Sequence, residues 1–216
     1  METSDEKKSI VLYHSLQNQM ARPRIHNEDE VVDKALQVFW QKGFSETSSR
    51  DLIAATGMSN GSLFNRYGDK NKLYLACLQK YAEVYMAGLE RLLVSDRPFK
   101  QKIKKVLEST IKKDPARGRY EGCFFFNSTV DSGIDDASIT SLTNGIHHRL
   151  EKAFRIAADQ AKKAGDLSIK TDAADTAAYL VTVTTGLRAL VKAGIPAGEL
   201  NRAIRSTLDF LPSAKK

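Results

Sequence analysis

Residues 47–72 concentrate side chains suited to reading a polyanion rather than to breaking bonds. Ser59, Asn60, Gly61 and Ser62 are small and polar, and they follow a glycine at position 57. At the start of a helix, such residues permit close approach to another surface, and the free N–H groups there suit phosphate. Asn60 and Asn65 carry amides that pair with an adenine edge or with a phosphate. Arg50, Arg66 and Lys70 add cations. Thr47, Ser49 and Tyr67 add hydroxyls for backbone contacts and packing. Upstream, Arg22 and Arg24 flank Pro23. They read as a flexible arm for a minor groove, or equally as a plain basic tail.

A second centre is Cys123, in Gly122-Cys123-Phe124-Phe125-Phe126-Asn127. A cysteine senses electrophiles or oxidants when it is partly exposed and its thiolate is stabilised. Arg117, Arg119 or a helix start at Cys123 would supply that stabilisation. The plainer reading is a buried small hydrophobe, which is also the reading for Cys77. Tyr81, Tyr85, Phe126, Asn127 and His147 complete the candidate effector pocket, its aromatics supplying an apolar wall or simply core. His147 and His148 are adjacent, so on a helix their rings diverge by ~100° and do not share one metal well. No metal or cofactor site is expected. Cys123 with His147 is the one nucleophile–base pair worth naming, and it lacks a third partner. With no Gly-rich phosphate loop, no His-Glu-x-x-His and no Ser–His–acid arrangement, an enzyme is a remote alternative and no catalytic residue is assigned.

Helices must position these groups. Val31, Val32, Ala35, Leu36, Phe39 and Trp40 recur at three- and four-residue spacing and share a helix face. Asn27 is a plausible cap, three acids open the first turn and Gly43 ends it. Thr47 or Ser48 caps a second helix carrying Leu52 and Ile53, which ends at Gly57. Ser59 or Asn60 caps a short third one through Tyr67. Asp69 caps a long fourth helix with Leu73, Ala76, Cys77, Tyr81, Val84 and Leu89 inward. Further helices are predicted over 99–113, 123–130, 138–164, 172–193 and 196–211, and no convincing strand pattern is present. Leu52, Ile53 and Leu63 pack the second and third helices across a glycine turn, the arrangement of a helix-turn-helix. The third helix is then the one that enters a major groove.

These residues carry a resemblance. Residues 21–73 resemble the DNA-binding domain of the TetR family of transcriptional repressors. The match runs through Ala21-Arg22-Pro23-Arg24, Phe39, Gly43-Phe44, Thr47 with Arg50-Asp51-Leu52, Gly57-Met58-Ser59, Gly61-Ser62-Leu63-Phe64, Tyr67-Gly68-Asp69-Lys70 and Leu73. Phe64 stands where the family often has a tyrosine that reaches a phosphate, and it has no hydroxyl to do so. Ile53 is bulkier than usual, and Arg66 replaces a common histidine. The segment from Gly122 to Asn127 is similar to one found in a subset of the family, some of whose members sense electrophiles or oxidants through cysteine. The resemblance implies an all-α chain: a tail over 1–19, a helix-turn-helix domain over 20–70, and a helical ligand-binding and dimerisation domain over 71–216. It also implies a homodimer on a palindromic double-stranded operator, released by a small-molecule effector, or in the alternative by oxidation or alkylation at Cys123.

The final two helices are rich in small residues, among them Ala173, Ala174, Ala177, Ala178, Thr182, Thr185, Gly186 and Ala189, and such helices approach closely. A four-helix dimer interface is expected there, built on Ala177, Leu180, Thr184, Leu187, Leu200, Ile204 and Leu208.

Composition sets bounds. The chain has 216 residues, is 42% hydrophobic and carries a net charge of +7, which favours an anionic partner. Yet residues 20–75 hold 8 basic and 7 acidic side chains, while 97–119 hold 9 and 2. The lysine face over 100–113 reads as solvated. A sequence-indifferent DNA binder would concentrate its basicity at the reader, so that class is disfavoured. Two cysteines make no disulfide framework and fit a reducing cytoplasm. The start has no secretory pattern, although Met20 offers a second possible beginning. The apolar stretch 177–191 carries three threonines and Arg188, so no membrane partner is expected.

Overall fold

The computed structural model describes residues 28–111, 123–131 and 136–212. The tail, Asn27, Arg22, Arg24, Lys112, Lys113, Arg117, Arg119 and Gly122 lie outside the described residues. Regular structure among the described residues is entirely helical: α1 (Glu28–Lys42), α2 (Ser49–Thr56), α3 (Asn60–Tyr67), α4 (Lys70–Leu93), α5 (Phe99–Thr110), α6 (Phe124–Val130), α7 (Ala137–Lys163), α8 (Ala173–Lys192) and α9 (Ala197–Phe210).

The caps explain the boundaries. Gly43 ends α1 at φ 84°. Ser48 caps α2, and Asp51 returns the bond to the Ser48 amide, forming a capping box. Lys42 also reaches the Asp51 carboxylate, at 2.5 Å. Together Lys42 and Ser48 hold that carboxyl well below the usual carboxylate range. Gly57 adopts the left-handed conformation at φ 72°, which turns the chain toward α3. Ser59 caps α3, and Asp69 caps α4.

α4 joins the two halves. Its first turns pack on α1, and its later turns meet α7 and α5. Buried Leu73, Tyr74, Cys77 and Leu78 serve the helix-turn-helix end, and Met86, Leu89 and Leu93 serve the regulatory end. Val84, expected inward, is 69% exposed, because it sits off the Leu78–Ala82–Met86 stripe. Lys102 leaves the solvated lysine face as well. It is buried, and its ammonium donates to the Leu93 carbonyl at 2.9 Å, satisfying an end-of-helix acceptor.

The expected dimer stripe is corrected by the packing. Ala177, Leu180, Thr184, Leu187, Leu200 and Ile204 are at most 3% exposed within one chain. Leu208 is half-buried against the same core. Close approach through small residues is used intramolecularly, where α7 lies along α8. The outward face of α8 instead carries Ala178, Tyr179, Thr182, Gly186, Ala189 and Leu190.

Candidate nucleic-acid interface

α3 is held by its apolar side. Leu63 and Leu52 are fully buried and Met58 nearly so, which fixes α3 against α2 and α4. The opposite side is then free. Ser59, Asn60, Gly61, Ser62, Asn65 and Arg66 are exposed on it, and Ser49 and Arg50 are exposed at the start of α2. Ser59 Oγ takes the Ser62 amide, leaving the first amides of α3 pointing outward. A Cβ placed on Gly61 meets nothing within 4 Å, so the fold itself does not require glycine there. The room lies outside the chain, where a close-approaching partner would sit.

Two expected contacts are corrected. Thr47 is 2% exposed, and its hydroxyl donates to the Gly43 carbonyl at 2.6 Å, bracing the α1–α2 turn. The Tyr67 hydroxyl is buried with no hydrogen-bond partner among the described residues, so it does not face a phosphate. Arg66 is exposed but paired with Glu28 at 2.9 Å. Lys70 stands 4.3 Å above the Phe44 ring, and burial lowers its pKa.

The effector candidates separate into a cluster and an outlier. Tyr81 donates its hydroxyl to Cys123 Sγ at 3.4 Å. Tyr85 stacks on Tyr81, with ring centres 6.0 Å apart and planes 3° from parallel. Cys123 is buried, at 6% exposure, just before α6. Phe126 and Asn127 are half-buried on α6, and Asn127 lines a cavity of about 270 Å³ with Phe39, Trp40, Tyr74 and Phe124. His147 is the outlier. It is exposed on α7 against His148, because Ile146 and Leu150 take the inward face. Cys77 is core, its thiol against the Val32 carbonyl, and burial pushes its pKa up. No group of three or more potential metal-ligating side chains occurs among the described residues.

Sequence reasoning missed two residues. Asp131, just past α6, accepts from the Phe44 amide at 2.8 Å and from the Ser45 hydroxyl at 2.6 Å. It thus ties the regulatory half directly to the α1–α2 turn. An aspartate in a turn carries no mark of a partner 87 positions away. Arg188 is 3% exposed inside α8 and donates to the Tyr85 hydroxyl. Its signal was present, a lone charge in an apolar helical run, but it served only to exclude a membrane span. Indeed no helix among the described residues is long and apolar enough to cross a membrane.

A helix-turn-helix with an exposed polar face, carried on a helical body, is the architecture of a DNA-binding transcriptional regulator. The family model of bacterial regulatory proteins of the tetR family matches residues 31–77. The tetracyclin repressor-like C-terminal domain matches 100–207. The chain belongs to the TetR family. Its relatives include the HTH-type transcriptional repressor ComR of Escherichia coli K12, 24% identical over 196 residues, 90% of this chain and 93% of ComR. The uncharacterized HTH-type regulator YezE of Bacillus subtilis 168 is 27% identical over 164 residues, 74% of this chain and 84% of YezE. The fold is shared with the reduced form of E. coli NemR, at TM-score 0.77 and 16% identity over 86% of this chain and 96% of NemR. It is also shared with a cysteine mutant of the TetR-family regulator CifR complexed with 26-bp double-strand operator DNA. There the TM-score is 0.73 at 21% identity, over 89% of this chain and all of that one.

Proposed function

We propose that the protein acts as a homodimer that represses from a palindromic operator and is released by a small-molecule effector held in its regulatory half. The observation carrying this reading is the exposed face of α3 together with two links between the halves, α4 and the Asp131 bridge. Ser59, Asn60, Gly61, Ser62 and Asn65 meet base edges and nearby phosphates. Ser49, Arg50, Arg66 and Lys70 meet the backbone, Arg66 after releasing Glu28. Arg22 and Arg24 serve as the minor-groove arm.

Two recognition helices then sit ~34–36 Å apart in successive major grooves. The dimer forms through the outward face of α8, where Gly186 and its small neighbours leave open space and Tyr179 and Leu190 supply apolar rims. An effector that binds better to a dimer with splayed readers shifts the population away from the DNA-competent spacing. The effector is held around Tyr81, Tyr85, Cys123, Phe126 and Asn127, and Asn127 shares its cavity with Asp131.

The test is selection of genomic fragments on the purified protein at physiological salt, followed by sequencing. One or a few palindromic sites are expected. Unrelated fragments with steeply salt-sensitive binding would overturn the reading. A second reading, alkylation or oxidation of Cys123 as the releasing signal, is favoured by the Tyr81 hydroxyl donating to its sulfur. It requires that iodoacetamide abolish operator binding in the native protein and leave Cys123→Ser unaffected.

A further inference from the structure

We propose that the effector is a small monocarboxylate with an apolar body, held by its anionic end on Arg188. The proposal rests on the effector-responsive reading above and names the chemistry of its site. Arg188 lies in the last quarter of α8 and is 3% exposed, within the core. Arginine does not shed its proton in a protein, so a charge sits there permanently. Taking a guanidinium out of water is costly unless an anion meets it. No carboxylate among the described residues forms an ion pair with Arg188. The arginines that do pair with acids are Arg66, Arg149 and Arg202, all on the surface.

What Arg188 has instead is neutral. One guanidinium N–H goes to the Tyr85 hydroxyl, and the guanidinium carbon lies 5.0 Å from the centre of the Tyr85 ring. Tyr81 and Tyr85 are half-buried, and their desolvation raises their pKa values, so neither phenol offers a counter-charge near neutrality. The positive charge is therefore built into the core, and no acid among the described residues meets it.

The surroundings match one class of visitor. A guanidinium presents its donors in a planar fork that suits a carboxylate bidentately. Tyr85, while accepting from Arg188, keeps its own hydroxyl proton to donate. Beyond the charge the surface is aromatic. Tyr81 and Tyr85 stack in parallel, and Tyr81 packs edge-on against Trp40 and Phe124. Trp40 and Phe124 also wall the neighbouring cavity of about 270 Å³, whose lining includes Phe39 and Tyr74 together with Lys42, Asp131 and Lys192. The site abuts Cys123 at the start of α6, whose other end leads to Asp131 and the α1–α2 turn. A carboxylate neutralising Arg188 would thus act on the element that braces the DNA reader.

The test uses the full chain with benzoate and octanoate as probes, and benzamide and octanamide as their uncharged counterparts. Trp40 is the sole tryptophan and lies 5.1 Å from Tyr81, so its fluorescence reports the site directly. At least one carboxylate is expected to change that fluorescence saturably, raise the melting temperature and release the selected operator fragment. Its amide should bind at least tenfold more weakly, and Arg188→Gln should weaken the carboxylate by the same factor. Arg188→Met should melt, without ligand, no lower than the native chain, because it removes an unmatched buried charge.

Four results overturn the proposal. Neither carboxylate acts on a protein that still binds its operator, or the amides act equally well, or Arg188→Gln binds the carboxylate undiminished. Arg188→Met melting well below the native chain would also overturn it, since the guanidinium would then be structural. If Cys123→Ser lowered the melting temperature equally, its partner would be a Cys123 thiolate. Failure to select any palindromic operator would count against the underlying reading instead.

Discussion

Replacing Asp131 by alanine should loosen the α1–α2 turn from the C-terminal helices without disturbing the hydrophobic core. Two hydrogen bonds to a carboxylate are lost, from the Phe44 amide and the Ser45 hydroxyl. Bonds to charged groups contribute about 1.5–3 kcal/mol each, and the exposed Ser45 bond belongs at or below the low end. About 3 kcal/mol in total follows. Phe44 itself stays packed, stacked on Phe39 and edge-on to Tyr74, so the loss is confined to the backbone tie. Native-state hydrogen exchange reads it directly. At roughly 1.4 kcal/mol per decade, the Phe44 amide should exchange about 100-fold faster. The melting temperature should fall by roughly 6–12 °C, at 2–4 °C per kcal/mol for a chain of this size. Ser45→Ala should account for the smaller share, and a double-mutant cycle with Asp131→Ala should show the two coupled. A Phe44 amide exchanging within threefold of the native rate in Asp131→Ala would refute the bridge, and with it the second link between the halves.

Gly61→Ala should fold at least as stably, since its Cβ meets nothing and alanine favours a helix by up to about 1 kcal/mol. Its affinity for the selected operator should nonetheless fall at least tenfold, as measured by gel shift. Asp51→Asn should destabilise the chain at neutral pH, because Lys42 and Ser48 favour the ionised carboxylate of the folded state. That contribution is present above the unfolded value of ~3.9 and is lost as pH falls through the lowered folded value. Denaturation curves of the two proteins should therefore converge in strong acid. Gly186→Arg should sediment as a monomer with a native-like helical spectrum. Ala177→Leu should instead lower the melting temperature by overpacking a fully buried position, and a dimer that survived Gly186→Arg would refute the outward face of α8 as the contact.

The balance between sequence and structure differs from one end of the molecule to the other. In the helix-turn-helix, function and fold are both local. The cap at Ser48 with Asp51, the turn at Gly57, the cap at Ser59 and the buried Leu52 and Leu63 lie within sixteen residues. Spacing alone therefore placed α2, α3 and the exposed face between them. Helix ends elsewhere were equally readable, because caps and glycines act on their immediate neighbours. Sidedness was less readable. Thr47 and Tyr67 turned inward where a polar residue had been expected to face a ligand.

In the regulatory half the important relations are long-range. The periodicity of α8 identified an apolar stripe at Ala177, Leu180, Thr184 and Leu187, but a buried stripe reads the same whether a second copy or the same chain covers it. Here α7 covers it, and the dimer contact proposed above falls on the other side of α8. The composition of α8 included Arg188, yet only the packing of α4 beside it brings Tyr85 to the guanidinium. The tie from Asp131 to Phe44 spans 87 residues. Local steric and hydrogen-bonding rules thus determined which segments are helices and which of them exposes the polar face assigned to DNA in the proposed function. Which helix faces meet, and hence where a buried charge finds no acid, was decided by how nine amphipathic surfaces close on one core among the described residues, a collective balance that no short window of sequence contains.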